Sequence, residues 1–247
     1  MPSTEKDAYP GAARPRRLSL LLLPFLAGAA LAATPQTSPT LPPRPAVSVQ
    51  PAFLIVLDAA HGGSDTGAHL GSRLDEKSLV LDLTIRLRSM LAARGVDVLT
   101  TRESDIPLSP GERATLANAH KPTACLILHA SDSGSGIHLF TSSLPPAQPV
   151  QFLPWNQAQA AYLDQSLRWA GEINSAMTHA GIPVTLGRTA LQPLDNLTCP
   201  AAAIEIAPLT RGAQITAPLT DPAYQSRVLA ALAAAVESWR RDRSSQP

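Results

Sequence analysis

Residues 54–77 read LIVLDAAHGGSDTGAHLGSRLDEK, and the order of residue types in that stretch decides the fold. A strand covered on both faces shows as a continuous apolar run, and FLIVLD (53–58) is one. Beyond a polar loop, Leu79, Val80, Leu83, Leu87, Met90 and Leu91 follow helical spacing, with Asp82, Arg86 and Arg88 on the other side. Gly95 is placed to end that helix. The loop itself carries an imidazole, His61, and ends at a carboxylate, Glu76. A loop that only joined a strand to a helix would need neither.

The same alternation continues along the chain. VDVLTTR (96–102) is the next strand, and residues 109–121 form a helix with Ser109 as cap and Pro110 at its first position. ACLILHA (124–130) and GIHLFTS are a third and a fourth strand. Residues 155–180 form a long helical stretch with Leu163, Leu167, Ala170, Ile173 and Met177 along one side. AAAIEIA (201–207) is another buried strand, and a last helix opens at Asp221-Pro222 and runs through Val228, Leu232, Val236 and Trp239. Strands alternating with helices predict a single α/β domain over residues 53–242. Its expected core is a mostly parallel twisted sheet of about five or six strands, with helices on both faces.

Ahead of that domain the composition changes. Arg14, Arg16 and Arg17 precede an apolar run from Leu18 to Leu31, and Ala30-Leu31-Ala32 fits a small-x-small cleavage site. Residues 1–32 thus have the layout of a secretory signal, with an uncleaved membrane anchor as the lesser alternative because the apolar part is too short for a comfortable bilayer span. No stable membrane span is expected after cleavage. Residues 33–52, with six prolines, form an extended tether. The destination implied is the periplasm, the cell envelope or the exterior. Cys125 and Cys199 can pair in such a compartment, and two buried free thiols are the equal alternative. A net charge of +1 and scattered aromatic residues give no basis for a nucleic-acid partner.

In parallel sheets, sites form beyond the carboxyl ends of the strands. The first strand runs into His61, the third ends at His129, a late strand carries Glu205, and Glu76 opens the first helix on the same edge. Two histidines and one carboxylate suffice to hold a catalytic zinc with a position left for water. The remaining carboxylate, Glu205, is then free to shuttle a proton to a departing amine. His69, His120, His138 and His179 read as surface or structural histidines. Asp58 and Asp65 are candidates to orient the ligands, with turn formation as the alternative, and Arg102 and Arg113 are expected to brace loops or stay solvated rather than touch substrate.

These residues resemble the zinc-dependent N-acetylmuramoyl-L-alanine amidases of the cell-wall hydrolase type. That family's strand ending Asp-Pro-Gly-His-Gly-Gly, its Asp-x-Gly-Ala and its Glu-Lys correspond to Asp58–Gly63, Asp65–Ala68 and Glu76-Lys77. Thr101-Arg102, Glu112-Arg113, Ala117-Asn118, the strand end Ile127–Ser131 and the run Pro200–Glu205 continue the likeness in the family's order, over roughly residues 53–240. The resemblance implies His61, Glu76 and His129 as zinc ligands and Glu205 as catalytic acid/base. It also implies peptidoglycan as substrate, cut at the amide between N-acetylmuramic acid and L-alanine. Ala59-Ala60 stands where the family has Pro-Gly, Ser131 where it has Asn, and Ile206-Ala207-Pro208 where it tends to Gly-Phe. The alternative these departures suggest is a degenerate domain that binds cell wall or a division partner without cutting. A third possibility keeps the zinc and changes the amide, to a small peptide or an acylated amino acid. No activator is readable.

Overall fold

A computed structural model of the chain describes residues 53–71, 74–148 and 152–244. The expected signal and tether, residues 1–32 and 33–52, lie outside the described residues. The elements in order are β1 (Leu54–Ala59), α1 (Glu76–Ala92), β2 (Asp97–Thr100), α2 (Pro110–Ala119), β3 (Ala124–Ala130) and β4 (Ile137–Ser142). A 3-10 segment (Trp155–Ala161) leads into α3 (Leu163–His179) and β5 (Val184–Thr189). A second short 3-10 turn (Leu194–Asn196) precedes β6 (Ala201–Ile206), the pair β7 (Leu209–Arg211) and β8 (Gln214–Ala217), and α4 (Pro222–Ser244). No helix among the described residues is long and apolar enough to cross a membrane.

Six strands form one sheet in the order β2-β1-β3-β6-β4-β5. β1 pairs in parallel with β2 and β3, and β3 in parallel with β6. β4 then runs antiparallel to β6, with β5 parallel to β4 at the edge. The α/β expectation holds. The apolar runs in β1, β3 and β6 are continuous because both their faces are covered. One face packs α1, α3 and α4 around Leu83, Leu87, Trp169 and Leu232. The other packs α2 and the Leu194 turn around Cys125, Ile127 and Ala203. Ser109 caps α2 in a reciprocal capping box with Glu112, and Pro110 stands at its first turn.

Two expectations need correction. The stretch 155–180 is not one helix: Gln157 has φ −128° and ψ 15°, and regular helix begins only at Leu163. Leu167 does not face the core, being 46% exposed, and Trp169 is buried in its place. β5 and the β7–β8 pair are additions to the predicted strands. Cys125 and Cys199 form a disulfide with Cα atoms 6.3 Å apart, which joins β3 to the residues entering β6 and settles the open alternative.

That link closes 74 residues of chain, so reducing it frees much of the unfolded ensemble. Reduction is expected to lower the unfolding free energy by about 2–4 kcal/mol in denaturant titrations. Superposable curves for oxidised and reduced protein would contradict this.

Candidate metal centre and proton shuttle

β1 delivers the chain to the site, and two buried arginines hold it there. Arg102 donates from Nε to the Ala59 carbonyl at 2.8 Å and from Nη2 to the carbonyls of Ala60 (2.9 Å) and Lys77 (2.7 Å). Arg113 donates to the carbonyls of Ala59 and His61, and pairs with the Asp58 carboxylate at 2.8 Å. Asp58 also accepts from the Thr101 hydroxyl. Asp58 thus orients Arg113 rather than any histidine. Both arginines brace the loop, as expected, and three successive carbonyls that would otherwise lack strand partners are satisfied.

So held, His61 adopts φ +61°, a left-handed conformation that a non-glycine residue rarely takes. Among the described residues only His61 and Lys121 share that property outside glycine, so Ala60 has no positive φ and the missing family glycine causes no strain there. Gly67 shapes the far side of the loop. With φ +66°, it passes so close that a Cβ would stand 2.6 Å from both Glu76 Oε2 and His61 Cδ2.

Glu76 opens α1, buried to a side-chain exposure of 6%. It accepts from the backbone N–H of Ala68 at 2.9 Å and of Ala130 at 3.1 Å. His129 Nδ1 lies 2.8 Å from its Oε1, and His61 Nε2 lies 3.1 Å from its Oε2. Burial on its own would raise this carboxyl. The hydrogen bonds from His129, His61 and the two amides outweigh that and hold it far below the usual carboxylate range. The Glu76 hydrogen bond is also the main reason the His61 imidazole is raised, with Asp65 adding to it against burial. Asp65 Oδ2 engages His61 Nδ1 at 2.8 Å, and that bond lowers the Asp65 carboxyl. Asp65 therefore turns Nε2 of His61 toward Glu76.

Nitrogen atoms from His61 and His129 and an oxygen from Glu76 all lie within 4.8 Å of one another. Two imidazoles around one carboxylate are a donor set that suits zinc. Glu205 is the register partner of His129 in the β3–β6 ladder, so the two project from the same face of neighbouring strands. A cleft of about 180 Å³ opens beside His61 and His129, walled by Leu108, Pro110, Leu191 and Pro193. A larger groove of about 390 Å³, between α3 and the β4–β5 edge, contains none of the four residues.

The remaining histidines divide. His69 pairs with Asp75 on the exposed loop, and His120 and His179 bond carbonyls four residues back in their own helices. Those three have structural partners. His138 does not belong with them: its Nδ1 lies 2.7 Å from Glu205 Oε1. Asp105, which no sequence motif singles out, bonds Lys77 Nζ and the Gly63 amide, both at 2.7 Å, and so ties the glycine loop to α1.

The sequence model of the N-acetylmuramoyl-L-alanine amidase family matches residues 55–238. The germination-specific N-acetylmuramoyl-L-alanine amidase of Bacillus subtilis is 28% identical over 205 residues, which is 78% of this chain and 82% of that protein. The crystal structure of Ami1 from Mycobacterium smegmatis shares the fold with a TM-score of 0.59 and 21% identity, over 78% of this chain and 99% of that one. The CwlD amidase of Clostridioides difficile, solved in complex with the GerS lipoprotein, does so with a TM-score of 0.55 and 18% identity, over 76% and 98%.

The charge pattern sets a pH dependence in metal-free protein. Glu76 is depressed below its ordinary 4.5, so its contribution to stability is present above that pH and lost as pH falls. His61 is raised above 6.5, so its contribution is complete below that pH and lost as pH rises through the folded value. Thermal melts in chelator are expected to peak between about pH 4.5 and 6.5, with the peak flattened in Glu76→Gln. Parallel profiles for the two proteins would contradict this.

Proposed function

The chain belongs to the N-acetylmuramoyl-L-alanine amidase family, and from that premise we propose that it hydrolyses the amide between N-acetylmuramic acid and L-alanine in peptidoglycan, with zinc as cofactor. The observation that carries this reading is the meeting of His61, Glu76 and His129 within 4.8 Å, with Glu205 beside His129. His61, Glu76 and His129 hold the ion, and Asp65 keeps His61 turned toward it. When bound, zinc acts as a Lewis acid that polarises the scissile carbonyl and acidifies water.

The chain's own work in the reaction is proton transfer. Glu205 accepts a proton from the attacking water as the carbon–oxygen bond forms, and delivers it to nitrogen as the carbon–nitrogen bond breaks. The products are a carboxyl on the lactyl group and a free amino terminus on L-alanine. Delivery to nitrogen is required, because an amide anion is too poor a leaving group. Export through residues 1–32 and a tether over residues 33–52 would put the enzyme where its polymer is. The Ala59-Ala60 departure supports no loss of activity, since the loop turns left-handed at His61 instead.

Digestion of purified peptidoglycan by zinc-loaded protein is expected to release L-alanine amino termini. Chelator abolishes the release, added zinc restores it, and Glu205→Gln lowers the rate by about 10²–10⁴-fold. Absence of release with zinc fully loaded would overturn the reading.

A further inference from the structure

The proposed reaction leaves a second imidazole beside Glu205 without a role. His138 stands across from Glu205 in the antiparallel β4–β6 ladder, as His129 stands across from it in the parallel β3–β6 ladder. His129, Glu205 and His138 thus form a row on one face, each roughly one strand spacing, about 4.8 Å, from the next. Because β4 runs against its neighbour, the start of that strand, not its end, reaches the reactive edge.

The contact is well defined. His138 Nδ1 lies 2.7 Å from Glu205 Oε1, a contact that an ionised carboxylate, which only accepts, makes with a hydrogen on Nδ1. The other edge of the ring is blocked. Gly134, at φ +88°, passes so near that a Cβ there would stand 2.2 Å from Cε1 and 2.5 Å from Nε2. The ring cannot swing toward that loop. The His138 and Glu205 side chains remain 21% and 34% exposed, and one partly exposed hydrogen bond adds only modestly to stability. Fold maintenance alone is a poor reason for the pair.

From this geometry we propose that His138 is the positioning residue for Glu205. By occupying Oε1 it fixes the plane of the carboxylate and leaves Oε2 to exchange the proton with water and with the departing amine. The inference rests on the reading of Glu205 as acid/base.

The test uses the full zinc-loaded chain and a soluble muropeptide, with folding checked by thermal melts. His138→Leu removes the donor. His138→Asn restores one, since its amide nitrogen stands as many bonds from Cα as Nδ1 does. His138→Leu is expected to lower kcat about 10–100-fold with KM changed less than about twofold, and His138→Asn to recover most of the loss. Nitrogen NMR is expected to show His138 protonated at Nδ1 in the unmutated chain. Equal losses in His138→Leu and His138→Asn, or a hydrogen on Nε2 alone, would overturn the proposal. If Glu205→Gln is inactive while both His138 variants match the unmutated chain, only this inference falls. If Glu205→Gln is fully active, the acid/base reading falls with it.

Discussion

A carboxylate buried at the start of a helix is the constraint around which this structure is arranged. Removing the Glu76 side chain from water is costly unless each oxygen finds partners of the right sign. It finds four: amide hydrogens from the loop after β1 and from the end of β3, and two imidazoles from those same segments. Its place at the first turn of α1 adds the favourable end of the helix dipole. The loop after β1 and the end of β3, more than fifty residues further on, must therefore converge on one side chain at the start of α1. A divalent ion suits this cluster, because it lets both imidazoles be neutral while the carboxylate remains charged.

The convergence depends on rigidity beyond the cluster. Arg102 and Arg113 turn the carbonyls after β1 inward and are themselves held by Asp58, Ser104 and Leu108. Lys77 and Asp105 lock the glycine loop from outside. The left-handed backbone at His61 is tolerated because so many bonds fix the residues on either side. The sheet supplies the other half of the site: parallel pairing of β3 and β6 in register sets Glu205 next to His129. The disulfide between β3 and the approach to β6 ties together the two strands on which that spacing depends.

Much of this could be read from the letters. β1, β3 and β6 are buried on both faces and so appear as unbroken apolar runs, and each meets an ionisable residue at or near its carboxyl end. Ser109-Pro110 announced α2 by cap chemistry alone. β5 shows no such run because it is an edge strand, half-exposed, with Gly187 inside it and Leu186 facing outward. The break before α3 leaves no mark in the sequence because apolar spacing does not register one residue leaving helical angles. The contact of His138 with Glu205 is not legible in the sequence because it depends on strand direction: only the reversal of β4 against β6 brings the two together, and periodicity does not encode direction. The pairing of Cys125 with Cys199 likewise follows from strand register, with Ala201 opposite Cys125, and not from spacing in the sequence.

Everything proposed for this protein turns on one ion held jointly by His61, Glu76 and His129. X-ray absorption at the zinc edge on the loaded protein tests it most directly. The expected result is a four-coordinate centre with two imidazole nitrogens and light oxygen ligands at about 2.0–2.2 Å, and loss of that spectrum in Glu76→Ala. A six-coordinate hydrated spectrum, sulfur in the shell, or a spectrum indifferent to Glu76→Ala would contradict it.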